Sequence, residues 1–428
     1  MLKDLKELLQ IPSVEDMATA TKEMPFGHEC HLALEWFLRK AAEYGLKTGN
    51  VDGYAGYAEI GHPKGKLIGV LCHLDVVPAG DGWTYPAYDL TEKDGHLYGR
   101  GVVDNKGAAI VFLHLFKEMV KKGEDKKLKN RYRLIVGMNE ETGSACMHYY
   151  VKNAEIPAFS LVPDADFPLV SSEKGILQLK VSFVMPECCK KNIKSLKAGD
   201  RANVVPDRCS VVLQNELAFE TTGIAGHAKS PHKADNAIFK AVDLLKEKFP
   251  KCDLLEVLGL FNLDATQNFG IDEFCPLSGK TTLNFACIDY QDGDKNLDIT
   301  LDIRMPKTLT KKEVIAHIQK KLDEYKNVFS SKITELAFQE HLCVDLNSSY
   351  IKALIKAYQE TTGDFDTPPR QTGGGTYARR MPNAVAFGTT FPNQETNIHN
   401  IDEGTSLKEF EKLSGIYMRA IEELEKIK

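Results

Sequence analysis

LIGVLCHLDVVPAGDGWTYPAYDLTEKDGHLYGRGVVDNKGAA, residues 67–109, is the stretch whose reading decides the fold. It opens on a short, turn-bounded apolar run, Leu67 to Cys72, which reads as a buried strand and delivers His73 and Asp75 at its end. A Gly/Pro-rich loop leads to Gly99-Arg100-Gly101-Val102-Val103-Asp104-Asn105-Lys106-Gly107. Helical spacing then runs over 108–122 and is closed by Gly123.

The same grammar of strand, polar loop and helix recurs on either side. Strands are predicted at 54–60, 131–138 and 159–162, and helices at 2–10, 28–46 and 144–153. One strand ends in Asn139-Glu140-Glu141-Thr142-Gly143-Ser144 and another in Pro163-Asp164. Such alternation predicts an α/β fold, a mainly parallel sheet flanked by helices. Ligands in such sheets bind beyond the carboxyl ends of the strands, which is where these acids and His73 fall. From Gly175 the pattern changes to alternating strands (176–184, 209–213, 218–223, 281–289, 298–304) around helices at 234–249 and 311–326. After about residue 341 a helix (349–362), the loop Thr372-Gly373-Gly374-Gly375-Thr376, a strand (384–388) and a last helix (406–426) follow. We therefore expect a catalytic metal-binding domain, 1–174 and 342–428, interrupted by an α+β lid domain, 175–341.

Composition narrows the function. The 428 residues are 43% hydrophobic and 27% charged with a net charge of −6, and the basic residues are scattered, which argues against a nucleic-acid partner. No run of about 18 apolar residues predicts a membrane span, and the start of the chain does not read as a signal peptide. Ten cysteines without a C-x-x-C pair predict reduced thiols in the cytoplasm, neither a disulfide framework nor a thiolate zinc site. The adjacent Cys188-Cys189 admits a redox switch or two small residues in a turn after Pro186, and the turn is the expectation.

Taken singly, the polar residues are ambiguous. His73-x-Asp75 puts two side chains on one side of an extended segment, as in a surface pair or as in a metal ligand with its orienter. Glu140-Glu141 fits an exposed turn, or a ligand beside a base, since neighbouring acids repel unless a cation lies near. Together the set is more specific. Two metals sharing a carboxylate need about five His/Asp/Glu ligands with ions ~3.5–4 Å apart. His73, Asp104, Glu141, Asp164 and His399 supply them, and the lack of thiolates suits a catalytic site.

The segments CHLDVVPAG (72–80), GRGVVDNKG (99–107), NEETGS (139–144), VPDADFP (162–168), RANVVPD (201–207), GIAGHAKSP (223–231), LDIRMP (301–306), TGGGTYAR (372–379) and IHNIDE (398–403) resemble the M20 family of dinuclear metallopeptidases. Within it they resemble most the bacterial PepV-like dipeptidases. The resemblance implies His73 and Asp164 on one metal, Glu141 and His399 on the other, and Asp104 bridging, with a cis peptide after Asp104. It implies Asp75 as the orienter of His73 and Glu140 as general base to a metal-bridged hydroxide. It assigns His227 to the oxyanion, with His232 the competing candidate. Asn203, Arg304 and the backbone of Gly373, Gly374 and Gly375 would take the substrate's terminal carboxylate, although Arg304 alone also reads as a surface cation. The implied cofactors are two divalent metal ions, zinc first, with manganese or cobalt as alternatives. The implied activity is hydrolysis of unblocked dipeptides, with Asp166 a candidate for the free amine. Alternatives are an aminoacylase, desuccinylase, carboxypeptidase or tripeptidase, or a non-catalytic peptide-binding protein. A monomer is expected, with a homodimer as the alternative. Departures at Tyr85-Pro86-Ala87-Tyr88 and Asp235 bear on side-chain preference.

Overall fold

The computed structural model describes residues 1–427 and divides into two compact units. The first comprises Met1–Ser171, Val344–Arg370 and the chain from Gly375 on; the second comprises Ser172–Cys343 and Gln371–Gly374.

The first unit is built on the strand Leu67–His73, all seven residues of which are buried. It pairs in parallel with Arg131–Gly137 on one side and Phe159–Val162 on the other, and Ala384–Ala386 continues the parallel run. Strands buried on both faces read as continuous apolar runs, which is why Ile68, Val70, Leu71, Leu134, Ile135 and Val136 are fully enclosed. The expected parallel character is confined to this centre. Lys47–Val51 and Ala55–Gly61 add to Arg131–Gly137 as an antiparallel hairpin, and Val170–Glu173 joins antiparallel at the opposite side. A three-residue connection such as Asp52-Gly53-Tyr54, its first two residues at positive φ, can only return a strand antiparallel, so a short connection fixes this hairpin.

Register decides where chemistry gathers. His73 is opposite Gly137, and Val162 is opposite Ala386, so the carboxyl ends of neighbouring strands lie along one edge. The helix Lys106–Lys121 follows directly on the loop carrying Asp104. Gly107 permits a close approach there, since a Cβ would meet the Val102 carbonyl oxygen at 2.0 Å. Asp104-Asn105 is a cis peptide, as the resemblance implied.

The second unit is a seven-stranded antiparallel sheet ordered Ala218–Thr222, Arg208–Leu213, Ile193–Ala198, Thr282–Gln291, Asn296–Met305, Gly175–Val184, Ser331–Gln339. Alternation puts Leu177, Leu179, Val181 and Phe183 inward against the helices Ala237–Lys248, Asp253–Gly259 and Lys311–Leu322. Each such fully buried side chain is worth roughly 1.5–3 kcal/mol. A reciprocal Thr310/Glu313 cap starts the last of those helices.

One expectation fails here. Cys189 and Cys252 form a disulfide, and Cys188 lies beside it, so the vicinal cysteines are not simply turn residues. The two partners are 63 residues apart in sequence, a separation no local spacing rule detects. The eight other cysteines are free thiols.

Candidate metal centre

Four loops at one sheet edge of the first unit converge. His73 ends its strand, Asp104 precedes a helix, Glu140 and Glu141 follow Gly137, and Asp164 follows Val162. His399 arrives from a late loop at φ +65, an uncommon backbone region in which His is one of the better-tolerated residues.

The five ligand candidates meet in two groups of three. His73 Nε2 is 2.8 Å from Asp104 Oδ1 and 3.6 Å from Asp164 Oδ2. His399 Nε2 is 3.0 Å from Asp104 Oδ2 and 3.1 Å from Glu141 Oε1. Each triad has its donor atoms within 4.8 Å of one another, and Asp104 belongs to both through different oxygens. All the donors are imidazole nitrogen or carboxylate oxygen, the mixed set that divalent zinc, manganese or cobalt accepts.

Electrostatics point the same way. Burial, then the Asp104 charge, pushes the Asp164 carboxyl up to about 7. Burial and the same neighbour raise Glu141, and burial raises Glu140 well above the carboxylate range. Burial disfavours charge on both histidines, yet the surrounding carboxylates more than offset it. His73 is held well above its ordinary value, and His399 is pushed up to about 11. Asp104, squeezed between two imidazoles, is held far below its ordinary value in spite of its burial. Like charges at this separation require positive charge among them, which bound cations would supply.

The supporting contacts are equally specific. His73 Nδ1 lies 2.9 Å from the Asp75 carbonyl oxygen and 3.5 Å from Asp75 Oδ1. The second Asp75 oxygen accepts the Glu141 backbone N–H at 3.0 Å. Asp75 therefore touches one triad through a side chain and the other through a backbone. Asn105, fully buried, donates to the Pro163 carbonyl and to Asp164 Oδ1 (3.3 Å) and accepts from the His73 N–H (3.4 Å).

A model of peptidase family M20/M25/M40 matches residues 69–423. The chain belongs to that family. It is a peptide-bond hydrolase. A Bacillus subtilis (strain 168) protein named "Putative dipeptidase YtjP" is 30% identical over 100% of this chain and 97% of its own. A Staphylococcus epidermidis protein named "Putative dipeptidase" is 31% identical over 98% and 96%. Among solved structures, human carnosine dipeptidase 1 is similar at a TM-score of 0.63 and 16% identity, covering 99% of this chain and 96% of that one. The M20 family metallo-carboxypeptidase Sso-CP2 from Sulfolobus solfataricus gives 0.63 and 17%, covering 100% and 99%. At such identities the structures speak for the fold alone.

In this M20 chain, sequence reasoning passed over Glu403. Fully buried, its Oε1 accepts the backbone N–H groups of Gly101 (3.1 Å), Val103 (3.0 Å) and Asp104 (3.1 Å), and Oε2 accepts Arg100 Nη1 at 2.7 Å. The short strand Gly404–Ser406 pairs with His96–Tyr98 and so delivers Glu403 to this loop. The sequence signal was Arg100 and Lys106, two cations on either side of Asp104, both buried in the fold. Lys106 donates to the carbonyls of Leu8, in the helix Leu2–Leu9, and of Ile11 just beyond it.

The remaining candidates are set in the second unit. Val204 pairs with His227, and the Ala228 N–H donates to the Asn203 carbonyl, which makes Asn203 and His227 neighbours. His227 Nδ1 accepts the Lys229 N–H at 3.0 Å, so the neutral ring carries its proton on Nε2. His232 lies in the short turn Pro231–Lys233. Arg304 is buried, donating to both Asp302 oxygens (2.5 and 3.1 Å) and to the Gly373 carbonyl (2.8 Å). Gly373 also packs on Lys229, where a Cβ would come within 2.9 Å of the lysine Cβ. Gly374 N–H donates to Thr372 Oγ1, and Gly375 belongs to the first unit. Asp166 is exposed beside Thr390.

Proposed function

We propose that this M20 chain is a dinuclear metal-dependent dipeptidase that hydrolyses the peptide bond of unblocked dipeptides. The observation that carries the proposal is the position of Asp104, whose two oxygens serve two different histidine–carboxylate groups. His73, Asp104 and Asp164 would hold one divalent ion, and Asp104, Glu141 and His399 the other. Zinc is our first choice, and bound ions of this kind lower the pKa of water towards ~7 and polarise a carbonyl.

The chain's own groups account for proton movement. Glu140 belongs to neither triad yet directly precedes Glu141 of one of them. It takes the proton from water as the water oxygen attacks the carbonyl carbon, then passes it to the amine as the C–N bond breaks. His227, a donor through Nε2, steadies the developing oxyanion. Arg304, Asn203 and the backbone of Gly373, Gly374 and Gly375 take the substrate's carboxylate. Arg304 would act as a clamped guanidinium, since Asp302 already fixes its plane and the Gly373 carbonyl a further N–H. Asp166 is our candidate for the free amine. The eight free thiols suit a cytoplasmic location.

A substrate panel tests the reading. Free dipeptides, their terminal amides, N-acetylated amino acids and tripeptides are assayed against the zinc-loaded protein and its Arg304→Ala variant. The free dipeptides should be cleaved best, and the variant should lose roughly 10–100-fold in kcat/KM on them, the scale of a charge-assisted contact of about 1.5–3 kcal/mol. On the amides the variant should lose little. Preferred cleavage of N-acetylated amino acids would replace the dipeptidase reading with an aminoacylase, and equal losses on acids and amides would remove the clamp.

A further inference from the structure

Away from the metal centre, the second unit gathers three sulfurs. Cys189 and Cys252 are bonded, and Cys188 Sγ lies 3.5 Å from Cys252 Sγ and 3.9 Å from Cys189 Sγ. The bonded pair is 1% and 3% exposed within the apolar cluster of this unit, whereas Cys188 is half-buried and packs against its margin. The bond ties the helix Glu187–Lys190 to the residue just before the helix Asp253–Gly259.

A disulfide is opened by a thiolate that can reach one of its sulfurs, so burying both sulfurs protects the bond from outside attack. Cys188 is already inside that protection. Of its two targets Cys252 is nearer, and a bond to Cys189 would be unfavourable on geometric grounds. Consecutive Cα atoms are about 3.8 Å apart, below the 4.4 Å or so at which disulfides begin. The resting arrangement also has a physical reason. Leaving the free thiol at half-buried Cys188 keeps any thiolate near water, while a thiolate at Cys189 would be stranded among apolar side chains.

We propose that Cys188, Cys189 and Cys252 form a thiol–disulfide relay through which a dithiol reductant opens the buried Cys189–Cys252 bond. Cys188, having released its proton to solvent, attacks Cys252 Sγ. The Cys188–Cys252 bond forms as Cys189–Cys252 breaks, and the electron pair leaves on Cys189, which takes up a proton. One thiolate of the reductant then attacks Cys188 at the margin of the cluster, and Cys252 leaves as a thiolate and is protonated. The second thiol of the reductant displaces Cys188 and closes the reductant into its own disulfide. One protein disulfide and one dithiol thus become two protein thiols and one small disulfide. The route is independent of the metal centre and of the substrate assignment.

The test uses the full chain, oxidised with diamide and then exposed under native conditions to dithiothreitol. Samples are alkylated at intervals and the linkages mapped by mass spectrometry. Wild-type protein should pass through a transient Cys188–Cys252 linkage, and Cys188→Ser should slow loss of the Cys189–Cys252 linkage by roughly tenfold or more. Cys287→Ser, which removes another half-buried thiol of the same unit, should open at the wild-type rate. Opening of Cys188→Ser at the wild-type rate would overturn the relay. So would failure to find a Cys188–Cys252 linkage in the wild-type time course, a readout that does not depend on any variant folding.

Discussion

Glu140→Gln is expected to lower kcat by about 10²–10⁴-fold while leaving two bound metal ions per chain, the range that a positioned general base contributes. Glu140 stands beside Glu141, whose Oε1 is 3.1 Å from His399, yet it is not one of the five residues that make up the two triads. Glutamine keeps the shape and hydrogen-bonding length of the side chain and removes only its ability to accept a proton. Burial already disfavours charge at Glu140, so the neutral amide should be accommodated without strain. Measured kcat and metal content on the same preparation decide the matter. Turnover within about threefold of wild type would remove Glu140 from the proton path, since a base supplies far more than that. Loss of a metal ion would recast it as a ligand.

Glu403→Ala is expected to destabilise the chain by about 3–5 kcal/mol, the usual consequence of deleting one partner of a buried charge pair. Glu403 and Arg100 are 0% and 1% exposed, and the carboxylate serves three backbone N–H groups besides the guanidinium. The pair need not be a net gain in itself. Burial, then the Asp104 charge, raises the Glu403 carboxyl above its ordinary range, so its ionised form is held at a cost. Truncation is harmful because Arg100 and the N–H groups of Gly101, Val103 and Asp104 would lose their acceptor together. Denaturant unfolding should show the lower midpoint, and metal affinity should fall with it because Asp104 is on that loop. A loss under about 1 kcal/mol would mean that water replaces the carboxylate and that this residue does not position Asp104.

The candidate ligands, each ambiguous alone, were legible only as a group. His73, Glu141 and Asp164 follow apolar runs that can only be strands, and Asp104 sits in a glycine-bounded loop ahead of a helix. Parallel pairing then puts those ends on one edge. Glu403 was not legible for a complementary reason. Its partners are mostly backbone N–H groups, which leave no side-chain pattern, and it is brought in by a three-residue strand too short to show periodicity. Asn105 escaped notice in the same way, bonding the Pro163 carbonyl and the N–H of His73 at the end of its strand. The antiparallel hairpin at one margin of the first sheet follows from turn length, and the antiparallel pairing of Val170–Glu173 at the other joins segments far apart in sequence, so apolar runs alone suggested more parallel pairing than exists. The Cys189–Cys252 bond depends on two separate helix ends meeting in the core of the second unit, which is tertiary information throughout.

The central claim, that Asp104 joins two metal positions into one hydrolytic site, is tested most directly by titrating chelator-treated, metal-free protein with zinc while following cleavage of an unblocked dipeptide. The account predicts no turnover without metal, and a rise that reaches its plateau at two equivalents per chain in the wild type. Full activity in the metal-free protein, or a plateau at one equivalent, would contradict it.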